Sequence, residues 1–111
     1  MITKKYCLFC DLKDDPFLIE EYKEHHKNVW PEILESIKES GIEKMNIYNL
    51  GNRLFMVIEV NKSFSFDKKA TLDANNPKVQ EREELMWKYQ QALPMAKKGE
   101  KWLLLEEIFK V

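Results

Sequence analysis

The feature of this chain that most constrains its fold is a pair of apolar, partly β-branched runs joined by a tight turn. The runs cover residues 45–50 and 53–60, and Gly51-Asn52 lies between them. A two-residue connection of this composition suits a β-hairpin, because glycine and asparagine accept the backbone conformations that such turns require. The middle of the chain is therefore predicted to be an antiparallel hairpin.

The segment before the hairpin is typical of one strand followed by a helical region. The strand is predicted over residues 4–12, and Asp15-Pro16 then supplies an N-cap and a proline in the first helical turn. Pro31 lacks an N–H and its ring clashes with the preceding turn, so it predicts a kink or a second helix start. Gly41 stands where a left-handed C-cap ends the region.

The segment after the hairpin predicts two helices and a closing strand. A short helix is expected over residues 64–73, a longer one from Pro77 to about residue 92, and the last strand over residues 102–110. The order βαββαβ predicts an α+β, ferredoxin-like fold, in which a four-stranded antiparallel sheet carries its helices on one face. A length of 111 residues suits a single domain, residues 1–111.

The other face of this sheet is predicted to need a cover. The third strand and the last strand carry apolar residues on both of their alternating faces. An antiparallel sheet with one face in water would alternate apolar and polar residues. We therefore expect a homodimer in which the sheets of two subunits face each other.

Charge and hydropathy exclude several classes of partner. The formal net charge is −1, and the basic residues form no long run, which argues against nucleic acid or an anionic membrane as the main partner. The chain has no signal-peptide pattern and no apolar run near the roughly 20 residues that span a bilayer. A soluble, cytoplasmic protein is expected.

Cys7 and Cys10 have the spacing of a redox or zinc motif, but their context is a strand. Such motifs need a turn or a helix start, where both sulfur atoms can converge. Side chains three apart on a strand point to opposite faces. Both residues are therefore interpreted as buried free thiols, with neither a disulfide nor zinc.

One helical stripe combines three side chains that suit a small polar site. Tyr22, His26 and Trp30 are spaced four residues apart, so they lie above one another on a helix. A histidine in such a stripe is more often structural than catalytic. The neighbouring aromatic rings and the kink at Pro31, which leaves backbone carbonyls unpaired, favour His26 as a group that gives and takes a proton. His25 points elsewhere and is expected to be solvated.

No cofactor site is predicted. Adjacent histidines on a helix cannot aim at one metal ion, and no zincin-like pattern follows them. The three glycines form no phosphate-binding loop. Two kinds of function remain possible: acid–base catalysis without a cofactor, or ligand binding without catalysis.

Trp87 and Trp102 allow two interpretations each. Trp87 lies one step off the predicted buried stripe of Val79, Met86 and Tyr89, so it suits either core packing or the rim of a sugar-binding cavity. Trp102, at the start of the last predicted strand, is expected to be structural or to lie at the subunit interface.

Taken together, these motifs resemble the L-rhamnose mutarotase family and its L-fucose-associated relatives. The resemblance covers nearly the whole chain and is most specific around His26-x-x-Val29-Trp30-Pro31-Glu32. It extends to the hairpin and to Trp87-Lys88-Tyr89 in the late helix. The family implies a dimeric ferredoxin-like fold and interconversion of the α and β anomers of a 6-deoxyhexose without metal or coenzyme.

The resemblance also implies roles for particular residues. His26 corresponds to the family's catalytic histidine and Tyr22 to a sugar-binding tyrosine. A second sugar-binding tyrosine is replaced by Met45. The family's Trp-Trp pair becomes either Met86-Trp87 or Arg82-Glu83, depending on which flanking residues are aligned. These changes leave the reaction in place and the identity of the sugar open.

The mechanism expected from these residues is opening and closing of the sugar ring. His26 would move protons, Tyr22 would orient a hydroxyl group, Trp87 would stack on the sugar, and Trp30 would support His26. Two alternatives stay open: a cofactor-free monooxygenase or haem-degrading enzyme on the same scaffold, and a non-catalytic dimer that binds a small molecule.

Overall fold

The computed structural model describes residues 1–111 and has the predicted α+β architecture. Its elements are β1 (Lys4–Leu12), α1 (Pro16–His25), α2 (Pro31–Glu39), β2 (Ile42–Leu50), β3 (Arg53–Val60), α3 (Phe66–Ala74), α4 (Pro77–Trp87), β4 (Gln90–Gln91) and β5 (Leu103–Leu104). The sheet is antiparallel, with the strand order β2-β3-β1-β4, and β5 also pairs with β1. This is the ferredoxin-like order, so the predicted fold is confirmed.

The hairpin and the first strand form the centre of the sheet as predicted. β1 pairs with β3 along its length, from Lys4 opposite Val60 to Asp11 opposite Arg53. Gly51 adopts the positive φ of +58° that the turn requires. β2 begins at Ile42, three residues before the predicted start. A bulge between Ile42 and Lys44 shifts the pairing register with β3, and the strand extends on both sides of this bulge.

The fourth sheet position differs from the prediction. β4 and β5 pair in turn along one edge of β1, with Gln91 opposite Asp11 and Leu103 opposite Phe9. One edge strand is thus divided by a loop over residues 92–102. The helix predicted to reach residue 92 ends at Trp87, because the residues that follow bond to the edge of β1 instead.

The predicted last strand over residues 102–110 is also wrong in length. Only Leu103–Leu104 form sheet pairs, and the residues after Leu105 have no regular structure. Ile108 and Phe109 are almost fully exposed. These apolar side chains find no sheet face to cover within their own chain.

Local sequence signals set the helix boundaries. The Asp15 carboxylate accepts hydrogen bonds from the N–H groups of Phe17 and Leu18, and Asn76 caps α4 in the same way. Pro31 starts a separate helix, α2, which confirms the predicted break. Gly41 has a φ of +103°, and a Cβ there would lie 2.9 Å from the Cβ of Phe64. Only glycine fits this position without strain.

The core lies between the sheet and the helices and contains two clusters. The first cluster consists of Cys10, Leu12, Tyr22, Leu54, Met86 and Tyr89. The second cluster consists of Leu8, Ile42, Ile58 and Val60. Trp102 packs against both clusters, so its position is structural.

The cysteines lie on opposite faces of β1, as predicted. Cys10 is fully buried in the first cluster, and this burial raises the pKa of its thiol to about 12. A thiol that keeps its proton is a poor nucleophile and a poor metal ligand. Cys7 is half-buried on the other face of the sheet, so its predicted burial is only partial.

No helix in the structure combines the length and apolar character needed to cross a membrane. The cytoplasmic location stays a prediction.

Candidate functional site

Tyr22 and His26 lie together at the end of α1. Their ring centroids are 4.4 Å apart, Tyr22 is buried, and His26 is half-buried as the C-cap residue. The predicted pair is therefore present. Trp30 does not extend the stripe, because α1 ends at His25 and Trp30 becomes the N-cap residue of α2.

The His26 imidazole is held in one tautomer. Its Nδ1 atom lies 2.9 Å from the backbone oxygen of Tyr22, and a carbonyl oxygen can only accept a hydrogen bond, so Nδ1 carries the proton. Burial lowers the pKa of His26, and the positive charge of Arg82 lowers it further, against the raising effect of the carbonyl. His26 is therefore neutral near pH 7, and its Nε2 lone pair is free to accept a proton.

The Tyr22 hydroxyl is poised as a hydrogen-bond donor. Its oxygen accepts a hydrogen bond of 3.3 Å from Nε2 of Gln90, a residue that is itself buried in β4. The hydroxyl proton is therefore left for another partner. Burial raises the pKa of Tyr22 to about 12, so the hydroxyl keeps this proton near neutral pH.

Arg82, on α4, brings a buried positive charge to the same region. The residue is only 7% exposed, and its Nη2 atom donates to the backbone oxygen of His25 at 3.4 Å. The guanidinium carbon lies 5.6 Å from the centroid of the Trp30 ring. Trp30 therefore packs beside Arg82, where a cation–π contact is favourable.

The sequence carries one signal that marks Arg82 as a buried residue. Val79, Arg82 and Met86 are the buried residues of α4, and their spacing places them on one face. An arginine within an apolar helical stripe is rarely buried without a specific partner. Arg82 was predicted only as one possible position of the family's tryptophan pair, and Gln90 was not predicted as a site residue.

The prediction that His25 is solvated is wrong. Its Nε2 atom lies 3.0 Å from the hydroxyl oxygen of Tyr89, which in turn donates a short hydrogen bond to the Glu21 carboxylate. Tyr89 has only one hydroxyl proton, so His25 Nε2–H is the donor of the first bond. The cause is the end of α4, which brings Tyr89 alongside α1.

This contact changes the acidity of Tyr89 and of the Glu21 carboxyl. Burial, reinforced by the hydrogen bond to Glu21, raises the pKa of Tyr89 to about 12. The same hydrogen bond is the main cause that lowers the pKa of the Glu21 carboxyl. A second polar cluster, formed by Glu21, His25 and Tyr89, therefore adjoins Tyr22 and His26.

The other predicted site residues are divided between three places. Met86 is buried in the first core cluster with Tyr22. Trp87 lines a groove of about 1060 Å³ beside α3 and α4, which includes neither His26 nor Tyr22. Met45 packs against the second core cluster. The structure thus brings Met86 to Tyr22 and places Met45 and Trp87 with other groups.

No group of three or more histidine, cysteine, aspartate or glutamate side chains has the arrangement of a metal site. The prediction that the reaction uses no cofactor stays a prediction.

The groups around Tyr22 suit an uncharged ligand that carries several hydroxyls. A neutral base, a phenol donor, a guanidinium donor and an amide can together bind such a molecule and move its protons. The fold and this site define an α+β protein of the ferredoxin-like class with an acid–base site beside its helices.

Sequence comparison then shows the family. The family model for L-rhamnose mutarotase matches residues 5–111. The L-fucose mutarotase of Xanthomonas campestris pv. campestris is 39% identical over 111 residues, which cover 98% of this chain and 89% of that protein. The chain belongs to the L-rhamnose mutarotase family, whose members are carbohydrate isomerases.

Solved structures agree with the fold. The crystal structure of an L-rhamnose mutarotase from Formosa agariphila has a TM-score of 0.73 and 23% identity, and the match covers 98% of this chain and 99% of that chain. A dimeric ferredoxin-like protein from an uncultured marine organism has a TM-score of 0.52 and 13% identity, with coverage of 96% and 90%.

Proposed function

We propose that this protein is a mutarotase that interconverts the α and β anomers of a 6-deoxyhexose, L-fucose or L-rhamnose. The observation that carries the proposal is the hydrogen bond from His26 Nδ1 to the Tyr22 carbonyl, which leaves Nε2 as a free base. Ring opening needs a proton acceptor and a hydrogen-bond donor, and a neutral imidazole beside a protonated phenol supplies both. The proposed unit is one domain, residues 1–111.

Ring opening requires one proton to leave the anomeric hydroxyl and one to reach the ring oxygen. In the proposed mechanism, His26 Nε2 takes the proton from O1, the O–H electrons form the C1=O1 double bond, and the C1–O5 bond breaks. The ring oxygen then receives the proton that His26 took from O1, the aldehyde rotates, and closure on its other face reverses these steps. A positioned base contributes about a hundredfold to ten-thousandfold in rate.

Tyr22 is proposed to donate a hydrogen bond from its hydroxyl to the sugar, without losing the proton, and so to hold the sugar against His26. Met86, which is buried in the first core cluster with Tyr22, would form an apolar wall behind it. Sugar contacts by Trp87 and Met45 stay predictions, because Trp87 lines the outer groove and Met45 packs in the second cluster. Trp30 would act on His26 only indirectly, through Arg82.

The proposed assembly is a homodimer in which two sheets meet through their open faces. This face carries Phe9 opposite Phe55 on the neighbouring strand, and Tyr48 opposite Phe55 on the other side. Phe9 and Phe55 are only half-buried within the chain, and Tyr48 is exposed. A contiguous apolar and aromatic face of this kind is typical of an interface. The dimeric ferredoxin-like neighbour is consistent with this arrangement.

The activity can be tested by NMR saturation transfer between the anomeric protons of a sugar at equilibrium. L-fucose, L-rhamnose and D-glucose are compared with and without the protein. Acceleration for at least one of the two 6-deoxy sugars, exceeding that for glucose, is expected. Sugar binding without acceleration, or no effect on any sugar, contradicts the proposal.

A further inference from the structure

Two buried side-chain polar atoms of this protein have no hydrogen-bond partner, and their residues contact Tyr22 and His25. They are Nη1 of Arg82 and Oε1 of Gln90, whose residues are 7% and 3% exposed. Gln90 contacts the Tyr22 hydroxyl directly, and Arg82 affects the acidity of both Tyr22 and His26. A buried donor and a buried acceptor left unpaired near Tyr22 and His26 indicate a place for a ligand.

The charge on Arg82 strengthens this interpretation. No carboxylate forms a salt bridge with its guanidinium, and the nearby Glu83 is paired with Lys101 at 2.8 Å. The guanidinium has one long hydrogen bond to a carbonyl and the face of Trp30 as its neighbours. Burial of a cation without a counter-ion is costly, so the arrangement is explained when a ligand oxygen completes it.

We propose that Arg82 Nη1 binds the ring oxygen of the sugar and that Gln90 Oε1 accepts a hydrogen bond from a neighbouring sugar hydroxyl. This inference rests on the proposed mutarotase function and names the group that assists His26. When the C1–O5 bond breaks, its electron pair moves to O5. The Arg82 N–H groups stabilise that negative charge while O5 takes the proton that His26 had removed from O1.

Arginine suits this task because it remains charged and donates hydrogen bonds without losing its proton. Atoms and charges balance with His26 as the single proton carrier, since it receives one proton and returns one. Trp30 lies against the guanidinium and limits its movement. Preorganised donors aimed at a developing negative charge are a major source of catalysis.

The contact can be tested on the unaltered protein. The chain contains two arginines, Arg53 and Arg82, so its side-chain guanidinium signals in ¹⁵N NMR are few. Arg53 pairs with Asp11 at the end of the sheet and serves as the internal control. Addition of L-fucose or L-rhamnose is expected to shift the Arg82 signals and leave those of Arg53 in place. The proposal is overturned if the Arg82 signals do not shift when the protein is saturated with a sugar whose anomer exchange it accelerates.

The catalytic part is tested with variants. Arg82→Ala is expected to lower kcat about a hundredfold to a thousandfold, the usual effect of losing such a donor. Added guanidinium chloride at millimolar concentration should restore part of the loss, whereas sodium chloride at the same ionic strength should not. If Arg82 were purely structural, guanidinium chloride would restore no more activity to Arg82→Ala than sodium chloride does. Arg82→Lys, which keeps the charge, should retain intermediate activity.

These outcomes separate the two proposals. If the unaltered protein fails to accelerate exchange of any sugar, the mutarotase function itself is wrong. If it is active and folded Arg82→Lys and Arg82→Ala proteins keep full kcat, only the role of Arg82 is wrong. If Arg82→Ala does not fold, the NMR shift and Arg82→Lys decide.

Discussion

His26 donates a hydrogen bond from Nδ1 to the backbone oxygen of Tyr22, the residue whose ring it contacts. This one relationship fixes both the tautomer of the imidazole and its position beside the phenol. A residue four positions earlier in the chain thus acts as the positioning partner that another protein would supply from a separate element.

The pH dependence of exchange should reflect the lowered pKa of His26. The neutral imidazole is the active form, so kcat/KM should decline as the pH falls, with a midpoint below 6.5, the ordinary pKa of histidine. NMR exchange rates measured across this range, after subtraction of the rates with His26→Ala, give the profile. A decline with a midpoint above pH 6.5 argues against a buried neutral base.

Tyr22→Phe should weaken catalysis while the fold survives. The ring and its core contacts remain, but the donor to the sugar and the acceptor for Gln90 are lost. We expect kcat/KM to fall about fivefold to tenfold, since a hydrogen bond is worth about 1 kcal/mol or slightly more. If Tyr22→Phe kept the wild-type kcat/KM, the proposal that Tyr22 binds the sugar would be wrong.

Tyr89→Phe should destabilise the protein. The variant loses the contacts of the buried Tyr89 hydroxyl with His25 and Glu21, which costs about 1 kcal/mol in the free energy of unfolding. The pKa of the Glu21 carboxyl should rise towards its ordinary value. Urea unfolding and carboxyl NMR titration measure the two effects. Tyr6→Phe removes a tyrosine hydroxyl that takes no part in these contacts, because Tyr6 packs against the second core cluster, so it is the matched control and should change neither quantity.

The open sheet face gives a prediction about assembly. Phe55→Lys places a charge at the centre of that face and should convert the proposed dimer to a monomer. Phe17→Lys makes the same change on α1, where Phe17 is 84% exposed, and should leave the dimer intact. Analytical ultracentrifugation at micromolar concentration distinguishes the two masses. A monomeric unaltered protein, or a dimeric Phe55→Lys protein, contradicts the proposed interface.

The central sheet and the helix starts were predictable because their signals are local. Alternation and the Gly51 turn predicted β1 and β3 at their observed bounds, and Pro16, Pro31 and Pro77 each begin a helix where expected. These features depend on residues within a few positions of each other.

The edge of the sheet was not predictable for the opposite reason. Gln90 and Gln91 follow a helical pattern, and their strand conformation comes from hydrogen bonds to β1, far away in sequence. Here the tertiary contact outweighs the local pattern. The error at His25 has the same origin, since its partner Tyr89 lies 64 positions further along the chain.

The candidate site was predictable only in part. Helical spacing placed Tyr22 beside His26, because both residues belong to one turn of one helix. Arg82 and Gln90 come from other elements, and only the folded chain brings them to Tyr22. Trp30 was predicted to lie next to His26 on one helix. Because the helix breaks before Pro31, Trp30 packs beside Arg82 instead.

The assignment of His26 as the base is tested most directly by the rate of anomer exchange in His26→Ala, with His25→Gln as the matched control. Both variants replace one of two adjacent histidines, and the glutamine amide introduced in the control can still donate a hydrogen bond to the Tyr89 hydroxyl. NMR saturation transfer with L-fucose and L-rhamnose should show exchange at the uncatalysed rate for His26→Ala and near the wild-type rate for His25→Gln. Full activity in a folded His26→Ala protein would contradict the assignment of His26 as the base.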